Sequence, residues 1–257
     1  MGEFDPGPPP AFAGIFDRMP DHGAHRAHFW FDWGPVFYRG RLDGSARVLC
    51  IASDPGPTER VAARTLSGDA GQRVQGFLAK VGLTRSYLCL NAFPYALFPS
   101  HGGSAAGILA DPTILGWRND LYDAARGPAL QAIVAFGLNA QRAVDRWPGR
   151  AGIPVLEVPH PSSRNPTELL DRWRAAVAQL RAIVTPDPDG DPQGPTYGAT
   201  FGAADYAPIP RRDLPFGVPA WLGDDAWGRN AAPRHNNSVA RPIPDDHHTL
   251  TWIAPET

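Results

Sequence analysis

Three polar side chains in this 257-residue sequence each stand just after an apolar run. Asp54 follows Val48-Leu-Cys-Ile-Ala52, Asn91 closes Ser86-Tyr-Leu-Cys-Leu-Asn91, and His160 follows Pro154-Val-Leu-Glu-Val158. An amide carries both donors and an acceptor, so it can read the edge of a pyrimidine. An imidazole can hydrogen-bond an oxyanion as it forms. A carboxylate can hold a water or stabilise a nearby cation. Each residue also has a plainer reading. Asp54-Pro55-Gly56 is common turn chemistry, Asn91 suits a strand-end turn, and His160 suits a satisfied core histidine.

The elements around them decide whether the three can act together. Residues 48–52, 86–91, 132–136 and 154–158 read as strands, the first buried on both faces. Residues 70–81 carry Val74, Phe77, Leu78 and Val81 at helical spacing, with Gly82 placed as the C-terminal glycine. Helices are also expected over 117–126 and from Gly137 to Trp147. The last helix has Asn165 as N-cap, Pro166 at the first position and Glu168 in a capping-box pattern; the apolar stripe Leu169, Leu170, Trp173, Val177, Leu180 and Val184 follows. This alternation predicts an α/β fold: three layers, α/β/α, around a central four-stranded parallel sheet. All three polar groups would then lie at the carboxyl edge of the sheet, where open α/β sheets bind ligands.

The expected organisation is an N-terminal arm and lead-in segment over 1–45, the α/β domain over 46–185, and an irregular extension over 186–257 that packs on the domain or a partner. The arm is expected to hold one short helical turn, with residues 33–42 extended. The extension is rich in proline, glycine and aspartate, yet Phe201, Tyr206, Phe216, Trp221, Trp227 and Trp252 argue against plain disorder. The long aromatic loop over 92–103 hangs from a strand's carboxyl end, a place where loops are usually functional.

Composition sets further bounds. A net charge of −2 gives no global pull toward nucleic acid, though it leaves room for a local basic groove. Cys50 and Cys89 both fall in strand candidates and read as buried free thiols; two cysteines cannot supply the four thiolates of an iron–sulfur cluster. His22, His25 and His28 lack metal-ligand spacing and read as solvated surface. No run of about twenty apolar residues spans a membrane. The N-terminal residues lack the basic and apolar regions of a signal peptide, so a cytoplasmic location is expected.

Taken in order, these pieces resemble the uracil-DNA glycosylase superfamily through most of residues 46–184. Val48 to Gly56 is similar to its first motif, a strand running into a Gly-Gln-Asp-Pro-Tyr or Gly-Glu-Ala-Pro-Gly turn. Arg64-Thr-Leu-Ser-Gly-Asp-Ala-Gly-Gln72 resembles the segment before its first long helix. Leu88-Cys-Leu-Asn91 resembles the strand ending in the base-reading asparagine, and Ile133-Val-Ala-Phe-Gly137 the third strand and its turn. Val158-Pro-His-Pro-Ser162 resembles the His-Pro-Ser-Pro motif.

The resemblance implies a catalytic pair. Asp54 would position the attacking water and stabilise the cationic sugar, and His160 would donate to uracil O2. Asn91 would read the uracil N3–O4 edge, with Ser53, Gly56, Leu66 and Phe93 as further base-contacting candidates. Ser162, Ser163 and Arg164 would contact DNA. The expected reaction is hydrolysis of the N-glycosidic bond of uracil flipped out of DNA. A monomer acting on uracil-containing DNA is expected, with no metal, cofactor or membrane. The rivals are a non-catalytic binding member of the fold and a hydrolase of free nucleosides or nucleotides.

Several positions depart from the family pattern. Leu66 stands where a stacking phenylalanine is usual, so stacking would be weaker or come from another ring, such as Phe93, Tyr95 or Phe98. Gly56 matches a methyl-excluding tyrosine, which leaves strict selection against thymine open. Ser163 replaces a proline, and Arg164 falls where a leucine wedge would enter the duplex. Arg60, Arg64 and Arg73 could line a DNA groove or form a solvated face.

Overall fold

The computed structural model describes residues 4–31, 34–98 and 104–218. Trp33, His101, Trp221, Trp227 and Trp252 lie outside the described residues. In chain order the elements are α1 (Pro10–Asp17), β1 (Phe29–Trp30), β2 (Tyr38–Gly40), β3 (Val48–Ala52), α2 (Pro57–Ala62), α3 (Asp69–Val81), β4 (Tyr87–Asn91), β5 (Ala96–Leu97), α4 (Ala105–Ala110), α5 (Pro112–Ala125), β6 (Ala132–Phe136), α6 (Leu138–Asp145), β7 (Val155–Val158) and α7 (Pro166–Ile183).

The main sheet runs β2-β4-β3-β6-β7. The pairs β4–β3, β3–β6 and β6–β7 are parallel. Because side chains alternate along a strand, each strand feeds two cores. Leu49, Ile51, Leu88, Leu90, Ile133 and Ala135 face one apolar cluster with α1, α4, α5 and α6. Val48, Cys50, Cys89, Val134 and Phe136 face the other with α3 and α7. This is the three-layer α/β/α arrangement. The thiols of Cys50 and Cys89 are free and buried, directly opposite each other across β3 and β4.

The sheet has five strands where four were expected. Residues 38–40, expected only as an extended lead-in, pair antiparallel with β4: Tyr38 opposite Leu90, Arg39 opposite Cys89, Gly40 opposite Leu88. A fully buried arginine hides this strand from any apolar pattern. Arg39 is satisfied there by the Thr65 carbonyl (3.0 Å), Gln75 (2.9 Å) and Asp213 (3.0 Å). Gly40 closes the strand at φ +104°, and a Cβ there would lie 2.4 Å from the Tyr87 carbonyl oxygen.

The N-terminal arm is more ordered than one turn. Helix α1 buries Phe12, Ile15 and Phe16, and Phe16 stacks on Phe37 at 4.3 Å. His22 is 1% exposed rather than solvated; its Nδ1 lies 2.8 Å from the Pro20 carbonyl, and burial lowers its pKa.

Residues 185–218 lie along the α/β domain and are anchored by buried aspartates. Asp187 accepts the N–H groups of Thr84, Arg85 and Ser86 (2.8–3.0 Å) and pairs with Arg47. Asp205 pairs with Lys80 at 3.0 Å. Asp213 holds Arg39, Arg41 and the Tyr87 hydroxyl. Gly76, inside α3, allows this approach: a Cβ there would lie 2.1 Å from the Asp205 carbonyl oxygen.

Candidate active site

The carboxyl edge of the sheet is built outward from β3. Asp54 lies two residues past β3, at the switch point where the chain passes from β4 back across β3 to β6. Its Oδ2 accepts the Leu97 N–H at 2.9 Å. Burial raises the carboxyl pKa, and hydrogen bonds from Ser53 and Leu97 hold part of that rise back. Ser53 is itself oriented, because Asn139 Nδ2 donates to its Oγ at 3.0 Å. A chain Asn139–Ser53–Asp54 thus crosses from the start of α6 to the end of β3.

Asn91 ends β4 opposite Ala52, one strand from Asp54. It is 7% exposed, and its backbone carbonyl accepts the Tyr122 hydroxyl at 3.2 Å. Its Nδ2 is buried without a hydrogen-bond partner among the described residues. An unpaired buried donor costs desolvation energy, and this one lies at the carboxyl edge of the sheet, where a ligand can supply its acceptor. Immediately after, the Phe93 N–H donates to the Ser53 carbonyl at 2.9 Å, fixing the two strand ends together. The Phe93 ring is fully buried against Phe29 in the core.

His160 stands on a loop whose carbonyls are pinned one after another. Pro159 O accepts Trp173 Nε1 at 3.0 Å, His160 O accepts the Ser163 N–H at 2.8 Å, and Pro161 O accepts Arg73 Nη1 at 2.8 Å. The ring lies over Gly137 at the end of β6: a Cβ on Gly137 would meet His160 Cβ at 2.8 Å. Gly137 has φ +84°, so glycine is required there for conformation and for space. Burial, aided by the charge of Arg73, lowers the His160 pKa to about 4. The imidazole is therefore neutral at pH 7.

The other candidate residues stand on neighbouring turns and loops. Gly56 is the N-cap of α2, and a Cβ there would meet Glu59 Oε2 at 2.7 Å. Glu59 Oε1 accepts the N–H groups of Ser67 (2.9 Å) and Gly68 (2.8 Å), which ties the loop holding Leu66 to the turn holding Asp54. Leu66 is buried in the left-handed region at φ +53°. Ser162 and Arg164 are exposed, and Ser163 Oγ accepts the Asn165 N–H at 3.3 Å.

Two arginines expected to line a groove or a solvated face do neither. Arg64 is 9% exposed and bonded to Asp5 and Ala63. Arg73 bonds Pro161 and Tyr206, pairs with Asp69, and lies under the rings of Phe201 and Tyr206. Both are structural ties.

Glu59 and Asn139 tie the loops beside Asp54 and carry no role in the sequence reading. Asn139 had a signal, since it stands two residues past Gly137 at a strand's carboxyl end. No set of three or more His, Cys, Asp or Glu among the described residues is placed to hold a metal ion. No helix among them is long and apolar enough to cross a membrane.

The arrangement is a three-layer α/β/α domain with a carboxylate, an amide and a neutral imidazole at one sheet edge. The family model described as "Uracil DNA glycosylase superfamily" matches residues 39–181, more than half of the chain, and the protein belongs to that superfamily. Membership brings with it a glycosylase type of hydrolysis, DNA as the substrate, and a place in DNA repair. A search of curated proteins found no match.

Proposed function

We propose that the protein is a uracil-DNA glycosylase that takes uracil out of the base stack and hydrolyses its N-glycosidic bond, leaving an abasic site. The observation that carries this reading is the buried, unpartnered Nδ2 of Asn91 at the same sheet edge as the neutral imidazole of His160. A uracil edge supplies what Asn91 lacks: its O4 accepts from Nδ2 while its N3–H donates to Oδ1. The Ser162 N–H donates to His160 Nδ1, so Nε2 carries the proton and is the ring's hydrogen-bond donor.

The chemistry follows from charge. As the C1′–N1 bond breaks, its electron pair leaves with the base and negative charge collects on O2. Nε2–H of His160 donates to that oxygen, more strongly in the transition state than in the ground state. Positive charge builds on the sugar, and the partly desolvated Asp54 carboxylate stabilises it. Asp54 also orients the water whose oxygen bonds to C1′; the water's released proton passes to the carboxylate and then to solvent. No step needs a metal. Arg164, exposed after the His160 loop, would fill the gap left by the extruded base.

The test is excision from a uracil-containing oligonucleotide by Asp54→Ala, His160→Ala and Asn91→Ala. Removing an acid–base or oxyanion partner typically costs about 10²–10⁴-fold. Unchanged rates in the Asp54 and His160 variants, or a preference for free deoxyuridine over the oligonucleotide, would overturn the assignment.

A further inference from the structure

The Asp54 carboxylate is held by a chain of side chains that begins on another element. Asn139 Nδ2 donates to Ser53 Oγ at 3.0 Å, and the Ser53 side chain hydrogen-bonds the Asp54 side chain. The chemistry of the three groups fixes the direction of this chain. An amide nitrogen only donates, an ionised carboxylate only accepts, and a hydroxyl has one proton to give. Because Ser53 Oγ accepts from Asn139, its own proton is left for Asp54. The Leu97 N–H is the second donor, at 2.9 Å from Oδ2. The charged groups that bear on Asp54 both come from α2: Glu59 opposes its ionisation and Arg60 favours it.

Both upstream members stand on anchored backbone. Asn139 is in the first turn of α6, which buries Ala140, Ala143 and Val144. Two residues on, Gln141 Nε2 donates to the Val158 carbonyl of β7 at 3.2 Å. The Ser53 carbonyl accepts the Phe93 N–H at 2.9 Å, which fixes it to the end of β4. We propose that Asn139 is a positioning residue for the excision: acting through Ser53, it holds Asp54 as an oriented hydrogen-bond acceptor that can take the attacking water. This rests on the glycosylase reading, in which Asp54 orients that water. Without the Asn139 donor the Ser53 hydroxyl can turn its proton away, and the buried Asp54 becomes easier to protonate.

Two variants of the full-length protein test this. Asn139→Ala removes the donor. Asn139→Asp keeps the size but accepts where asparagine donates, so it draws the Ser53 proton away from Asp54. An acidic residue suits the first turn of a helix, so this variant should keep its fold. Asp54 is titrated by carbon-13 NMR of its carboxyl, assigned by loss of the signal in Asp54→Asn, and uracil excision is followed against pH. The Asp54 titration and the acid limb of kcat should both move to higher pH, by about one unit in Asn139→Ala and further in Asn139→Asp. Added to Ser53→Ala, the Asn139→Ala change should give no further shift. An Asp54 titration equal to wild type in both Asn139 variants, or an undiminished shift in the Ser53→Ala background, would overturn the proposal. If the wild type excises no uracil, the glycosylase reading fails, while the NMR titration still decides whether Asn139 governs the Asp54 carboxyl.

Discussion

The backbone N–H of Ser162 donates to Nδ1 of His160 at 3.1 Å, and an N–H can only donate, so the proton of the neutral ring sits on Nε2. Burial and the nearby Arg73 keep the ring neutral down to about pH 4. The excision rate should therefore show no histidine ionisation between pH 5 and 8. Its acid limb should belong to Asp54, above the ordinary aspartate range, because burial raises that carboxyl. Arg73→Met should raise the His160 pKa toward 6.5, read by NMR titration of the ring.

The same shift has a consequence for stability. The folded-state pKa of His160 is depressed, so between about pH 6.5 and 4 the unfolded chain takes up a proton that the folded chain does not. The contribution of the neutral ring is complete above pH 6.5 and is lost as pH falls through that window. Urea denaturation at pH 7 and pH 5 should show a smaller loss on acidification in His160→Gln than in the wild type.

Gly137→Ala should disturb His160 without touching a titrating group. The new Cβ would stand 2.8 Å from His160 Cβ, on a backbone at φ +84°. A displacement of the imidazole by about 1 Å is enough to cost roughly 10²-fold in rate. The expected result is a large fall in kcat with a smaller change in oligonucleotide affinity.

Asp213→Asn should destabilise the whole domain. Arg39 is fully buried within the sheet, and Asp213 supplies its compensating charge from 174 positions away along the chain. Removing one partner of a buried ion pair typically costs about 3–5 kcal/mol. Arg41 also loses its partner, which adds to the effect. Chemical denaturation should detect a loss of that size.

The parts of this fold that could be read from the sequence are those whose cause is local. Residues 48–52 and 132–136 are buried along their whole length, so composition alone marks them as strands. Asn165 caps α7 by accepting the Glu168 N–H, and Gly82 ends α3 in the left-handed region. Strand β2 was hidden because Arg39 is tolerable only through residues far along the chain. The anchoring of 185–218 was hidden for the same reason: Asp187 meets Thr84 and Ser86 about a hundred positions away, and Asp205 meets Lys80. At the candidate site, the place of Asp54, Asn91 and His160 at one sheet edge was legible because each follows a strand. Asn139 and Glu59 act through Ser53 and the 67–68 backbone, partnerships that need the folded loops to be seen.

The most direct measurement is cleavage of a labelled single-stranded oligonucleotide carrying one uracil, beside the same strand carrying thymine, in excess chelator. The expected result is alkali-labile breakage at the uracil, abolished in His160→Ala and Asp54→Ala. An intact uracil strand after prolonged incubation with folded wild-type protein would contradict the proposed activity.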